Sequence, residues 1–455
     1  MTPGARVSAA IEILDLIAAE AAPADTVAGA YFRARRYIGG KDRPAIAALA
    51  YAVLRHRAQL DWWLARTREG AGRGPFAPDA RQRVLTWLAI GERWEAERIA
   101  ASFDGAKFRP PALGPREVSL VGALVGRTLD HPEQPDWVRF NLPQWLEAKL
   151  RQRFGADFNR EAAALAQAAP LDLRINPLKT DRSAMLQRLA AVGLRVAPTP
   201  ISPLGIRVEG RPTLGSLAEF QDGLIEVQDE GSQIAALLVD AKAGMRVCDF
   251  CAGAGGKTLA LAAMMANKGH VVACDVSERR LEGATRRLRR AGVFNVERRN
   301  LSGERDPWVK RHAASFDRVL IDAPCTGAGT WRRNPDAKWT MTPDDLDQLI
   351  DLQRRILDSA ARLVRPGGRL VYVTCSLLAE ENERQAEWLL ERMPEFIHVP
   401  VGEVWARTLD APCPTAEPYL HLTPARNGTD GFFVAVFERS TTARQSISGE
   451  TGADL

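Results

Sequence analysis

From about residue 235 onward the chain alternates short apolar runs with amphipathic stretches, and this alternation constrains its fold more than any other feature. The apolar runs are MRVCDF, HVVACDV, FDRVLIDAP and GRLVYVTCS; between them lie KTLALAAMMANK, SERRLEGATRRLRRAG and TPDDLDQLIDLQRRILDSAARLV. Strands that alternate with helices demand crossover connections, and these yield a parallel, doubly wound α/β sheet. In such a sheet ligands bind beyond the carboxyl ends of the strands. Cys251, Asp275, Asp322 and Cys375 all fall at or just past predicted strand ends. The long helix has Thr342 as N-cap, Pro343 in its first turn and Pro366-Gly367-Gly368 as its stop.

At 455 residues the chain exceeds one ordinary core. Residues 1–138 read as helices, with RPAIAALAYAVLRHRAQLDWWLA as one long helix. Residues 139–234 read as a small α+β unit, with LDLRINPLK as a strand closed by Asn176-Pro177. Residues 235–439 form the α/β domain, ending in the strand-like GTDGFFVAVFE, and 440–455 read as a disordered tail. The N-terminal run, with Glu12, Asp15 and Glu20 among its apolar residues, is an amphipathic helix and not a signal peptide. No apolar run is long enough to cross a membrane, and a cytoplasmic protein is expected. A net charge of +5 permits a polyanionic partner without requiring one.

The six cysteines all lie in the second half of the chain, which argues for reduced thiols over a disulfide framework. Cys248 and Cys251 form a lone C-x-x-C with no second pair or histidine cluster, so no metal site is expected. Cys248 and Cys274 read as small buried hydrophobes. The run VCDFCAGAGGKT joins a strand to a helix through Gly253, Gly255 and Gly256, where a backbone can approach a ligand closely. Asp275 ends the next strand, where a carboxylate can accept both ribose hydroxyls of a nucleoside. A phosphate-binding loop is the rival reading, but it needs glycine at the position of Cys251.

IDAPC and VTCS each end a predicted strand in a thiol. A thiolate is a strong nucleophile at neutral pH. Cytosine C5 is unreactive until a thiolate adds to C6 and turns the ring into an enamine; the C5 proton must then leave and the thiolate depart. Two thiols at one site suit those tasks. Spacing alone does not say which cysteine does which.

The motifs DRPAIAALAYAVLRHRAQLDWWL, LRINPLK, VQDEGSQ, DFCAGAGGKT, DAPCTG, YVTCS and GTDGFF together resemble the Sun/Fmu family of RNA cytosine-C5 methyltransferases. The branch acting on small-subunit ribosomal RNA, with a NusB-like N-terminal domain, is the most similar, and the resemblance runs to about residue 438. It implies a Rossmann-like methyltransferase domain behind a NusB-like all-α domain and a small α+β domain. It implies S-adenosylmethionine as donor, held by Cys251, Ala252, Gly253, Ala254, Gly255, Gly256, Lys257, Asp275 and Asp322. Cys375 is implied as nucleophile and Cys325 as the residue aiding release, with Asp322 also facing the base and Lys179 approaching the catalytic pocket. Where the family commonly has Asp near the adenine this chain has Asn300, which still offers an acceptor, and the glycine loop lacks the family's proline. The implied partner is RNA, ribosomal before transfer RNA, bound by a monomer. A non-catalytic RNA-binding assembly factor is the reading from another class.

Arg279, Arg280, Arg286, Arg287, Arg289 and Arg290 crowd one helix, as a phosphate-contacting face or an ordinary solvated one. Trp331, Arg332 and Arg333 follow Cys325 closely and could clamp a flipped nucleotide, or only pack their loop.

Overall fold

The structure, a computed structural model, describes residues 1–20, 22–67 and 77–441. The expected tail lies outside these residues from 442 onward. The chain divides into two compact units, Met1–Ala168 with Trp331–Met341, and Ala169–Thr330 with Thr342–Leu455. The sequence pattern drew its first boundary at 138/139; by contacts the helices through Ala168 belong with the first unit.

The first unit is all helical among its described residues. Its first helix, Pro3–Ala19, starts where the Thr2 side chain accepts from the Ala5 amide, with proline in the first turn. The helix Ala80–Thr86 opens on a capping box between Asp79 and Gln82. Val7, Ile13, Ile46, Leu60, Trp63, Val84, Leu85 and Phe103 share one buried core. The long helix expected over 43–65 is two, Asp42–Arg55 and Arg57–Thr67. His56 breaks it at φ −100°, ψ 17°, its ring stacked 4.9 Å from that of Trp87 and its Nδ1 3.1 Å from Gln59 Oε1.

The second unit holds two sheets. In the smaller, β1 (Leu171–Ile175), β2 (Val196–Pro198), β3 (Gly205–Val208) and β4 (Ile225–Val227) are ordered β2-β3-β1-β4, all antiparallel. The helix Arg182–Ala191, capped by Asp181, covers it with Met185 and Leu189 against Leu173, Ile206 and Ile225.

In the larger sheet β5 (Arg246–Asp249), β6 (His270–Asp275), β7 (Val296–Asn300), β8 (Phe316–Asp322) and β9 (Val364–Thr374) are parallel, in the order β9-β8-β5-β6-β7. β10 (Phe396–Val399), β11 (Leu420–Leu422) and β12 (Phe432–Arg439) add antiparallel, with β12 beside β9. Strand order reverses between β5 and β8, and the crevice at such a switch point is where a doubly wound sheet binds its ligand. Thr342 caps the helix Pro343–Ala360 in a capping box with Asp345. Pro366-Gly367-Gly368, read above as the stop of that helix, instead lies inside β9. Pairing with β8 jumps from Phe316↔Val364 to Arg318↔Arg369, so the proline and glycines form a bulge that spares the ladder a residue without N–H.

Candidate active site

The carboxyl ends of β5, β6 and β8 open onto a cavity of about 600 Å³. The glycine loop after β5 forms one side of it. Gly255 caps the helix Gly256–Met264 at φ +79°, a left-handed conformation in which a Cβ would stand 3.0 Å from that of Ala284. Asp275 ends β6 and fixes this loop: its Oδ2 accepts the Gly253 amide at 2.8 Å and its Oδ1 the Ser277 amide at 2.8 Å. A carboxylate has about four lone-pair sites, so two remain for hydroxyls. Asp322 ends β8 and accepts from Lys257 Nζ at 2.7 Å. Cys251, Ala252, Gly253, Ala254, Gly256, Lys257, Asp275 and Asp322, all expected at a cofactor, line the cavity. Gly255 stands behind the lining as the helix cap.

Phe250, Leu301, Leu352 and Ile356 supply apolar walls that sequence reading missed. Phe250 and Leu301 each directly follow a polar strand-end position, β5 and β7, which is the only signal they gave.

Below the loop, Asp249 is fully buried. Thr258 Oγ1 donates to its Oδ2 at 2.6 Å, while Oδ1 has no hydrogen-bond partner. Burial, then the charge of Asp322, pushes its carboxyl up to about 7 against the pull of the Thr258 hydroxyl. Burial also pushes the Cys251 thiol well up, with Asp249, Asp322 and Asp275 adding to it, so this cysteine is no nucleophile. Cys248 and Cys274 are fully buried in strands, as read from the sequence.

The second feature is a thiol corner at the ends of β8 and β9. Cys325 Sγ and Cys375 Sγ are 3.5 Å apart. Pro324, the residue before Cys325, lines the cavity, which joins the corner to the glycine loop. The Gly329 amide donates to the Cys375 carbonyl at 2.9 Å, and the Gly431 amide to the Gly329 carbonyl at 2.9 Å. A Cβ on Gly329 would stand 2.4 Å from the Gly431 oxygen, so DAPCTGAG and GTDGFF close over Cys375 only as glycines. The hydrogen bond with Cys375, then burial, raises the Cys325 pKa well above the ordinary thiol value.

Several expected residues stand elsewhere. Lys179 does not line the cavity: its Nζ donates to the carbonyls of Asp222 (2.8 Å) and Arg290 (2.7 Å), at the end of the arginine-rich helix Glu278–Ala291. A cation there satisfies free carbonyls and meets the negative end of the helix dipole. Asn300 is likewise absent from the lining, and its Nδ2 donates to the Asp275 carbonyl at 3.1 Å. Trp331 and Arg332 are buried at 5% exposure, so neither offers a face for a flipped base. Trp339 is bound at 2.7 Å to the Leu54 carbonyl within the helical unit. The arginine-rich helix is divided: Arg287 and Arg290 pair with Glu226 of β4, and Arg287 also holds the Ala254 carbonyl at 2.9 Å. Arg279, Arg280, Arg286 and Arg289 are exposed.

A doubly wound sheet with a nucleoside-sized cavity at its switch point, over a glycine loop and strand-end carboxylates, defines a Rossmann-like methyltransferase. The sequence profile described as 16S rRNA methyltransferase RsmB/F matches residues 236–438, and that of the RsmF/B-like ferredoxin-like domain matches 142–213. Ribosomal RNA small subunit methyltransferase B of Erwinia tasmaniensis is 30% identical over 413 residues, which cover 88% of this chain and 92% of that protein. The crystal structure of the protein PH0851 superimposes with a TM-score of 0.77 at 27% identity, over 96% of this chain and 99% of that one. A methyltransferase homolog protein from Pyrococcus horikoshii, 31% identical, covers 68% of this chain and all of its own, with a TM-score of 0.57. The chain belongs to the RsmB/F family of ribosomal RNA methyltransferases. Among the described residues no group of His, Cys, Asp or Glu is arranged to hold a metal ion, and no helix is long and apolar enough to cross a membrane.

Proposed function

We propose that this enzyme methylates C5 of a cytosine in small-subunit ribosomal RNA, through a covalent bond between Cys375 and C6 of the base. The observation that carries the reading is the pair of thiols 3.5 Å apart; neither lines the cavity, but Pro324, next to Cys325, does. S-adenosylmethionine fits the residues present: Asp275 for the ribose hydroxyls, Phe250, Leu301 and Ile356 for the adenine, and the glycine-loop amides with Lys257 and Asp322 for the polar end. When bound, that donor supplies an electrophilic methyl group and departs as a neutral thioether.

Cys375 attacks as the thiolate, forming the C6–sulfur bond and making C5 nucleophilic. Once C5 is methylated its proton is lost to water, the C6–sulfur bond breaks, and Cys375 leaves as a thiolate. Cys325, held as a thiol beside it, donates toward the departing sulfur and so assists release. Asp322 stands between donor and base. Among the arginines, the exposed Arg279, Arg280, Arg286 and Arg289 are the phosphate-contacting candidates.

The same reading treats residues 1–138 as a NusB-like RNA- or protein-binding module, 139–234 as a second RNA-binding module and 235–439 as the catalytic domain, acting as a cytoplasmic monomer. Two experiments test it. Bisulfite mapping of RNA from a deletion strain should lose one 5-methylcytosine from the small-subunit RNA; loss from a transfer RNA would move the substrate. Methyl transfer by Cys375→Ala should vanish while Cys325→Ala accumulates a covalent RNA adduct. Full activity of Cys375→Ala overturns the mechanism.

A further inference from the structure

Neither the mechanism above nor the sequence motifs use Glu381. It is fully buried, and it sits six residues past Cys375. Its Oε1 accepts from the Thr326 amide at 2.8 Å and from Gln353 Nε2 at 3.0 Å. Its Oε2 accepts from Thr326 Oγ1 at 2.5 Å and from Ser376 Oγ. Thr326 directly follows Cys325, and Ser376 directly follows Cys375. Gln353 also donates to the carbonyl of Pro324, at 3.0 Å, so the peptide is held on both sides of Cys325. The turn that delivers Glu381 is fixed in its own right. Tyr372 Oη donates to the Glu381 carbonyl at 2.7 Å, and Asn382 bonds both Thr374 Oγ1 (2.5 Å) and the Ser376 carbonyl (3.0 Å).

Burial raises the Glu381 carboxyl above its ordinary value while the bonds from Ser376, Thr326 and Gln353 pull it back down; as a carboxylate it accepts from all of them, two donors to each oxygen. One buried carboxylate thus ties together the residues next to both thiols, which follow separate strands.

We propose that Glu381 is a positioning residue: it sets the geometry of the Cys325–Cys375 pair and places a fixed negative charge beside Cys325. The first half rests on the cysteine mechanism proposed above; the second half does not. Around Cys325 the groups that act on its charge are Cys375, Glu381 and the Gly327 amide, the first two favouring the thiol and the amide favouring the thiolate. Burial and Glu381 are therefore what remain to hold the proton on Cys325 when Cys375 is taken away, and of the two Glu381 is the charge that a substitution removes.

The test uses Glu381→Gln, which keeps the shape and one acceptor oxygen; the two hydroxyls can rotate to accept from the new amide. Turnover should fall about 100-fold, the scale of a small misplacement of reacting groups. KM for S-adenosylmethionine and for RNA should stay within about twofold, because the cavity lining is untouched. Wild-type turnover overturns the proposal, and so does a loss matched by failed cofactor binding, which marks a merely structural role. Independently of any activity, the pH dependence of Cys325 alkylation is followed by peptide mass spectrometry in a Cys375→Ala background. Adding Glu381→Gln should move its midpoint to lower pH, since a charge that disfavours the thiolate is gone. An unmoved midpoint overturns the electrostatic half even if the methyl-transfer reading fails. Should Glu381→Gln not fold, Thr326→Val removes one hydroxyl donor and leaves the charge; it should cost about tenfold in turnover with the alkylation midpoint in place. No loss in that variant overturns the geometric half.

Discussion

The cofactor loop and the thiol corner each rest on a buried carboxylate, and the two are treated in opposite ways. Glu381, beneath the thiols, accepts from four donors. Asp249, beneath the glycine loop, accepts from Thr258 and has a partnerless Oδ1. Burial raises both carboxyls; four donors pull Glu381 back toward its charged form, whereas Asp249, with one donor, is pushed up to about 7. The difference teaches that the corner is built for a single geometry, while the floor of the cofactor loop keeps acceptor capacity in reserve.

The largest effect that would sharpen this contrast is on stability. Glu381→Ala strands several buried donors at once and should cost roughly 5 kcal/mol, or prevent folding, whereas Asp249→Ala strands one hydroxyl and should cost about 1 kcal/mol. Urea denaturation at neutral pH measures both, and equal losses would break the comparison. Next is the pH signature of Asp249, isolated by substitution because burial raises the Glu381 carboxyl in the same direction. Its folded pKa, raised to about 7, lies above the unfolded carboxyl value, so between about pH 4 and 7 the native state binds more protons than the unfolded one. This group therefore takes stability away as pH rises through that window. Asp249→Asn should flatten the loss, by roughly 2–4 kcal/mol at pH 8, when melting temperatures are compared from pH 5 to 8. Smaller again, Asp275→Ala releases the Gly253 and Ser277 amides and should weaken S-adenosylmethionine binding about tenfold by calorimetry, with the thiol corner unaffected. A control for these effects lies outside both regions. Lys338, buried in the helical unit with its Nζ 3.3 Å from the Arg55 carbonyl, has its pKa lowered by burial to about 7. Lys338→Met should remove the stability gain otherwise seen from pH 7 to 10, roughly 2–4 kcal/mol, when urea denaturation is compared across that range.

Much of this was legible in sequence because it depends on local pattern. Apolar runs with polar ends placed Cys251, Asp275, Asp322 and Cys375 at strand ends, and the glycines marked the loop that approaches a ligand. What stayed hidden depends on contacts across the fold. Gln353 is one polar residue in a long helix, and nothing in its neighbourhood announces that it reaches Pro324 and Glu381. Lys179 looked catalytic by resemblance, yet the small sheet delivers it to a helix end. Pro366-Gly367-Gly368 looked like a helix stop because local propensity does not foresee a bulge imposed by a neighbouring strand. Burial of Trp331 and Arg332 could not be read from composition, which gives aromatic and basic residues near an active site the look of a ligand clamp.

The excursion Trp331–Met341 belongs with the helices, although the chain on either side of it belongs to the catalytic unit. The polypeptide therefore enters the helical unit twice, first as its beginning and again one residue past the loop that carries Cys325. That makes the helical unit something other than a detachable prefix. Severing the chain after residue 168 would leave Trp339 and Lys338 without the Leu54 and Arg55 carbonyls they hold. In evolutionary terms such a module is not gained or lost by simple fusion at one end, because its last piece is encoded in the middle of the catalytic domain.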